Sequence, residues 1–204
     1  MTTKLYYSPG ACSLSPHIAL REAGLPFELV QVNLQDRTLK AGGDYGAINP
    51  KGYVPALVLD RGELITEGAI IVQYIADQKP ETRLAPPAGT IERVRLQEWL
   101  HFIATELHKA FGPINHPKSN DDLKQVLKER LASRFSFLAK AVTGRSYLLG
   151  DRFTVADGYA YYTLRNWKKL VGPELGGLEA LRSYYNRVNE REAVQAALSA
   201  EGLT

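Results

Sequence analysis

One side chain in this sequence is placed to act as a sulfur nucleophile. Cys12, the sole cysteine, follows the aromatic run Lys4-Leu5-Tyr6-Tyr7 and the turn Ser8-Pro9-Gly10, and it sits where a helix is predicted to begin. Unpaired N–H groups and the helix dipole at such a start favour negative charge, so a thiolate is stabilised there. A lone cysteine is otherwise a small buried apolar side chain. Ser13-Leu14-Ser15 follow it in a C-x-x-S pattern. This pattern removes intramolecular dithiol exchange and leaves one-thiol chemistry or thiol binding. Two further places suit a ligand. Val54-Pro55 lies where the chain enters a strand. A cis bond there exposes the Val54 backbone to an extended ligand, a trans bond makes Pro55 an ordinary edge-strand proline, and the dipeptide alone leaves both open. Glu67-Gly68 occupies the mouth of the following helix. Free N–H groups there receive a carboxylate and Glu67 can accept an ammonium, although alone Glu67 is simply a favourable first-turn acid.

In the second half, His101, Thr105 and His108 fall at i, i+4 and i+7, which places them on one face of a predicted helix. Leu96, Trp99, Ile103 and Leu107 line other faces, so a polar stripe runs beside a core stripe, as on a cleft wall. Solvent exposure or capping is the ordinary role of a lone helical histidine. A metal centre is not expected from His17, His101, His108 and His116: no H-E-x-x-H occurs, and one cysteine cannot build a structural zinc site. Tyr159, Tyr161, Tyr162 and Trp167 crowd a later helix and read chiefly as core. Thr154 with Asp157 three residues on is a capping box, a structural feature. Gly158 offers no side chain for a hydrophobic staple and costs about 1 kcal/mol relative to alanine.

The elements that must position these residues follow from patterning. Lys4–Tyr7 reads as a strand. Ser13 or Ser15 caps a helix with Pro16 in its first turn, ended by Gly24 and Pro26. Phe27 to Leu34 alternates with period two and reads as a half-buried strand. A polar loop, Gln35 to Asn49, leads to a strand over Val54 to Leu59. Asp60-Arg61-Gly62 turns the chain, Glu63–Thr66 returns, and Gly68 to Asp77 is helical up to Pro80. This gives an α/β layer pair, βαβ then ββα, over residues 1–80. Pro80, Pro86, Pro87 and Gly89 mark a linker over 81–90. From 91 to 204, apolar residues recur at helical spacing (Leu96 to Phe111, then Leu123 to Val142) with no convincing strand, so an all-helical domain is expected.

The chain has 204 residues, with 45% hydrophobic and 23% charged side chains and a net charge of +3. Such a composition suits a globular protein and excludes wholesale disorder, collagen and fibre. The basic excess is dispersed: residues 1–80 hold 7 basic and 8 acidic side chains, and 81–204 hold 18 and 14. Residues 118–145 hold 7 basic and 3 acidic side chains, but with apolar helical spacing, so nucleic-acid binding is not expected. A single cysteine, an N-terminus without a basic start and apolar core, and no apolar run near ~18 residues predict a cytoplasmic protein with no membrane span.

Four motifs in order, YYSPGACSLSPHIALREAGL, NPKGYVPAL, LITEGAIIVQYIAD and EWLHFIATELHKAF, resemble the bacterial beta class of glutathione S-transferases over essentially the whole chain. The resemblance implies a thioredoxin-like N-terminal domain with Pro55 in cis, an all-α C-terminal domain, and no cofactor beyond glutathione as co-substrate. It implies Cys12 and His108 as the catalytic pair. Glutathione would meet Glu67 and Gly68 at its γ-glutamyl end, Val54 ahead of Pro55 at its cysteinyl amide, and Arg37 at its glycyl carboxylate. His101 stands where the class commonly has asparagine, which makes a hydrogen bond there pH-sensitive. A homodimer is implied, with Thr105 and Glu106 reaching glutathione across the interface. A small hydrophobic electrophile, such as a halogenated aromatic, would lie near Tyr7 and Trp167. Tyr7 also ranks as a second-choice hydroxyl donor to the thiol. A glutaredoxin-like mixed-disulfide oxidoreductase and a non-catalytic ligand-binding protein share the same fold and stay open.

Overall fold

In the computed structural model, which describes residues 2–204, the aromatic run near the N-terminus is a central strand. The strands β1 (Lys4–Tyr7), β2 (Glu28–Asn33), β3 (Thr38–Leu39), β4 (Ala56–Val58) and β5 (Leu64–Thr66) form one sheet in the order β3-β2-β1-β4-β5. β1 and β2 are parallel, with Leu5 opposite Leu29, so the chain must cross over between them. Helix α1 (Leu14–Glu22) makes that crossing. β4 runs antiparallel to β1, with Leu57 opposite Leu5, and β5 antiparallel to β4. Alternation along β1 divides the core. Tyr6 joins Val32, Tyr45, Val54 and Ala56 in one cluster. Leu5 and Leu57 are fully buried, as are Leu14 and Ile18 of α1 and Ile71 of α2 (Gly68–Gln78), and the two helices pack together. Each such aliphatic side chain contributes roughly 1.5–3 kcal/mol on burial.

The polar loop expected over Gln35 to Asn49 contains β3, a departure from the sequence reading. Asp36 turns the chain by accepting from the Thr38 N–H (3.0 Å) and the Asn33 side-chain amide (3.0 Å), and Leu39 then pairs with Val32 at the sheet edge. Two residues are too few for an alternation to show.

The chain divides into two compact units: residues through Ala85 together with Glu190–Thr204, and Pro86–Asn189. The sequence reading grouped all of 91–204 as helical domain. The division instead counts helix α8 (Glu192–Ala200) with the first unit, where it packs on α1 and buries Val194, Ala197 and Leu198. In the Pro86–Asn189 unit, α3 (Ile91–Phe102) starts at Thr90, whose hydroxyl accepts from the Arg93 N–H. The unit continues with α4 (Lys109–Asn115), α5 (Asp121–Val142), capped by Asn120, α6 (Val155–Val171) and α7 (Glu179–Asn189). The capping box forms around a fully buried carboxylate. Asp157 accepts from the Thr154 N–H (2.8 Å) and hydroxyl (2.9 Å), the Leu148 N–H (2.9 Å) and the Tyr184 hydroxyl (2.7 Å). Burial pushes the Asp157 carboxyl up and these bonds oppose it, while the same burial and the carboxylate hold the Tyr184 phenol well above its ordinary value.

Residues 103–108 depart from the α-helix expected there. They form a π turn between α3 and α4. The wider turn breaks the i, i+4, i+7 alignment, so His101, Thr105 and His108 do not form one stripe of an α-helix. His101 and Thr105 are exposed and His108 is half-buried.

Candidate active site

Cys12 is reached through a tight connection. β1 ends at Tyr7, Gly10 takes a positive φ of 71°, and α1 starts two residues after the cysteine. Ser13 occupies the cap position, but its hydroxyl does not cap α1. It turns back to accept from the Ser8 N–H (3.2 Å) and donate to the Ser8 carbonyl (3.3 Å), which ties the loop to the helix start. Ser15, the other expected cap, is buried inside α1. The Cys12 thiol, partly exposed, donates to the Val54 carbonyl at 3.2 Å.

Val54-Pro55 is cis. The loop ahead of it is braced by two bonds to the Tyr53 carbonyl, one from the Tyr45 hydroxyl (2.9 Å) and one from the Asn49 side-chain amide (2.8 Å). Gly68 lies beside this turn, since a Cβ built on it would stand 3.7 Å from Pro55 Cγ. Glu67, the residue before α2, has φ 67° and ψ 110°, a conformation that side-chain-bearing residues seldom adopt and that concentrates at binding sites. Its carboxylate accepts from Lys51 Nζ (2.7 Å) and the Tyr53 hydroxyl (2.7 Å), and Lys51 also donates to the Thr66 hydroxyl (2.9 Å). The carboxylate holds both the Lys51 ammonium and the Tyr53 phenol above their ordinary pKa. Arg37 reaches the same loop, its guanidinium lying against Gly52. The structure therefore brings together Cys12, Val54, Pro55, Glu67, Gly68 and Arg37. Lys51, Tyr53 and Asn49 were not singled out, although all three lie inside or beside the NPKGYVPAL motif.

Tyr7 does not offer an accessible hydroxyl. It is only 8% exposed, and burial together with the nearby Glu201 carboxylate holds its phenol above the ordinary value. In the Pro86–Asn189 unit, His108 Nδ1 lies 2.8 Å from the Tyr159 hydroxyl, and its ring meets Tyr159 and Tyr162 edge-on. Burial, and secondarily the Lys109 charge, push the His108 imidazole down to about 4. It is neutral at neutral pH. The neutral ring and the Tyr159 hydroxyl share one hydrogen bond at Nδ1, which either group is able to donate. His101 gives its carbonyl to the Thr105 hydroxyl (3.0 Å). Glu106 accepts from Arg130 (2.9 Å) and Arg134 (2.8 Å), which hold its carboxyl below the usual range. Trp167 is 3% exposed and stacks on Phe135 at 4.8 Å, so it belongs to the core of this unit.

Comparison with known proteins accords with this geometry. Residues 10–78 match the glutathione S-transferase N-terminal domain model and residues 102–192 the C-terminal domain model. The chain is 46% identical to glutathione S-transferase GstA of Escherichia coli over 200 residues, covering 98% of this chain and 99% of that one. This chain belongs to the beta class of the glutathione S-transferase family. Two solved transferases share its fold closely. The beta-class enzyme of Sphingomonas chungbukensis superposes with a TM-score of 0.93 at 45% identity. A sphingomonad transferase solved with glutathione bound does so with 0.93 at 46%. Each comparison covers 98% of this chain and all of the other. The thioredoxin-like α/β unit followed by helices is thus the transferase fold, and the cysteine, the Val54-Pro55 turn and the Glu67-Gly68 turn of this transferase all lie within the matched N-terminal segment.

Proposed function

We propose that this transferase binds glutathione along the Val54-Pro55 turn and activates its thiol beside Cys12 for attack on a small hydrophobic electrophile. The observation that carries the reading is the 3.2 Å contact between Cys12 Sγ and the Val54 carbonyl, which joins the cysteine to a strand entry flanked by Glu67 and Gly68. Glutathione is an extended peptide with an ammonium and a carboxylate at one end. Glu67 is an acceptor for the ammonium, the Gly68 helix start is a receiver for the carboxylate, and Val54 offers backbone pairing to the cysteinyl unit. Arg37 against Gly52 is a cation for the glycyl carboxylate. The ligand sulfur then lies near Cys12, at a helix start that stabilises thiolate. Lowering the glutathione thiol pKa from about 8.5 raises the nucleophilic fraction at neutral pH. In the Pro86–Asn189 unit, neutral His108 is assigned as a hydrogen-bonding group for the ligand, with His101, Thr105 and Glu106 as further ligand contacts, as the family resemblance implies. Tyr7 and Trp167, expected at the electrophile, are buried in the cores of their own units and are not assigned to it.

We assign the working protein as a cytoplasmic homodimer. Trp99, Phe102 and Phe137 cluster at 5.3–5.9 Å, with Phe137 53% exposed and Ile91 and Val94 exposed on α3, an apolar surface suited to a second copy. Sedimentation at micromolar concentration should give twice the chain mass, and a single-chain mass would remove this assignment. The test of the chemistry is the glutathione-dependent rate with 1-chloro-2,4-dinitrobenzene for wild type and Cys12→Ala, both verified as folded. A strong loss in the variant is expected. An undiminished rate would remove Cys12 from conjugation, and an inactive wild type that reduces glutathione mixed disulfides would favour the one-thiol oxidoreductase reading.

A further inference from the structure

The end of the sheet opposite Cys12 carries a cavity of about 370 Å³ that has no part in the glutathione contacts. It forms where three elements stop short of one another. Helix α1 ends at Glu22, Gly24 turns the chain at φ 62°, and the Leu25 N–H returns to the Leu20 carbonyl (3.1 Å). β4 ends at Val58 and enters a turn closed by the Gly62 N–H on the Leu59 carbonyl (2.9 Å), with Asp60 inside it. α2 stops at Gln78, ahead of Pro80. Leu20, Leu57 and Ile75, buried in the core, make the floor, and Leu25 and Pro26 make one wall. The rim is polar, with Asp60, Tyr74 and Gln78 around the opening. Among the described residues, these three side chains make no hydrogen bond or ion pair.

Size, floor and rim together define a ligand. At about 30 Å³ per molecule in the liquid, the space equals about a dozen waters, or one aromatic ring with a short side chain. Apolar cavities with a few converging polar groups are where small molecules bind. Asp60 brings the one formal charge among the residues around the cavity, so the site selects a cation over an anion. We infer that this cavity is a binding site for a small arylalkyl amine, its ring against Leu25 and Pro26 and its ammonium donating to the Asp60 carboxylate. An ammonium has three N–H donors, and the Tyr74 hydroxyl oxygen and the Gln78 amide oxygen are the other two acceptors at the rim. The site is separate from the one proposed for glutathione. Helix α2 runs 11 residues from Gly68, beside Glu67, to Gln78, a span of about 15 Å at 1.5 Å per residue. Amine and glutathione therefore bind at the same time.

The test is an amide ¹⁵N–¹H NMR titration of the full chain at pH 7 with 2-phenylethylamine, and with 2-phenylethanol and 3-phenylpropionate as neutral and anionic ligands bearing the same ring. The amine should saturate with a Kd of order 1 mM, as suits so few atoms. The amides that move should be those of Leu25, Asp60, Ile75 and Gln78. The alcohol should bind about fivefold more weakly, and the carboxylate more weakly still. Asp60→Asn should weaken the amine by the same factor and leave the alcohol where it was, so that the two ligands become equal. Saturating glutathione should leave the amine shifts in place. Three results would each overturn the proposal: no saturating shift at about ten times the expected Kd, equal binding of all three ligands to wild type, or displacement of the amine by glutathione with shifts at Cys12 and Glu67. If Asp60→Asn fails to fold, the ranking of the three ligands on wild type decides. None of these readouts requires turnover, so the loss or survival of conjugation in Cys12→Ala leaves the amine site to be judged separately.

Discussion

His108 makes the stability of this transferase depend on acid in a calculable way. Its imidazole falls from 6.5 to about 4, chiefly through burial among Tyr159 and Tyr162 and secondarily through Lys109. In the unfolded chain the ring titrates near 6.5. Above that pH neither state binds the proton and His108 contributes no pH slope. Between 6.5 and 4 the unfolded state binds it and the native state does not, so stability declines by up to about 1.4 kcal/mol per pH unit as pH falls. Below about 4 both states are protonated and the loss levels off. The full drop corresponds to about 3 kcal/mol, and partial solvent access to the half-buried ring trims it to about 2 kcal/mol. Glutamine at this position preserves a polar contact to the Tyr159 hydroxyl without a titrating group. Urea unfolding of wild type and His108→Gln at several pH values from 4.5 to 7.5 isolates the effect, because the carboxylates and the other histidines cancel in the difference. Wild-type stability minus variant stability should be level above pH 6.5 and fall by about 2 kcal/mol toward pH 4.5. A difference constant to within about 0.5 kcal/mol over that range would refute the assignment of a buried neutral imidazole. The same reasoning bears on the chemistry, because at pH 7 only about one ring in a thousand is cationic. In its proposed role His108 acts as a neutral hydrogen-bonding group, and no rate inflection near 6.5 should disappear when it is replaced.

Asp157→Ala should lower unfolding stability by at least about 3 kcal/mol, since it leaves the Leu148 and Thr154 N–H groups and the Tyr184 hydroxyl without their acceptor inside the helical unit. A loss under about 1 kcal/mol in urea denaturation would show that other groups or water satisfy these donors. Glu67→Gln should raise the KM for glutathione by about tenfold with a smaller change in kcat, the expected loss of one charge-assisted bond to the ligand ammonium. An unchanged KM would mean that the Lys51 and Tyr53 contacts, and not a ligand, are the business of Glu67.

The site was legible in the sequence wherever its parts are local. Cys12 announces itself because a strand, a Ser-Pro-Gly turn and a helix start succeed one another within a dozen residues, and Glu67-Gly68 because a returning strand runs directly into a helix. The positive φ of Glu67 has no such signal, since a glutamate bears no mark of left-handed backbone. Lys51 and Tyr53 did leave a trace, a cation and a phenol flanking Gly52 ahead of Val54-Pro55, yet their meeting with Glu67 depends on strands pairing across the sheet. The π turn at 103–108 was hidden for a related reason. Leu100, Ile103, Leu107 and Phe111 satisfy helical spacing whether or not one turn is widened, because a pattern with gaps of three and four tolerates the extra residue.

Glu201 lies at the far limit of that legibility, and its energetics say why it is worth building. Carrying a carboxylate and an imidazole to complete burial costs several kcal/mol of hydration, which the bonds to His17, Arg21 and Gly10 offset without a clear surplus over an apolar packing of the same volume. Stability alone therefore gives no reason to place charge there. What the ionic chain supplies that leucine and valine do not is direction. Each of its three hydrogen bonds has one permitted donor and one permitted acceptor, so the Gly10 peptide can face only one way. A leucine at 201 would bury well and leave that peptide free to turn. The last segment, Glu190–Thr204, belongs to the unit that holds the cysteine, and its carboxylate adds one acceptor to a turn that the Ser13 hydroxyl and the Ala11 N–H also hold through Ser8.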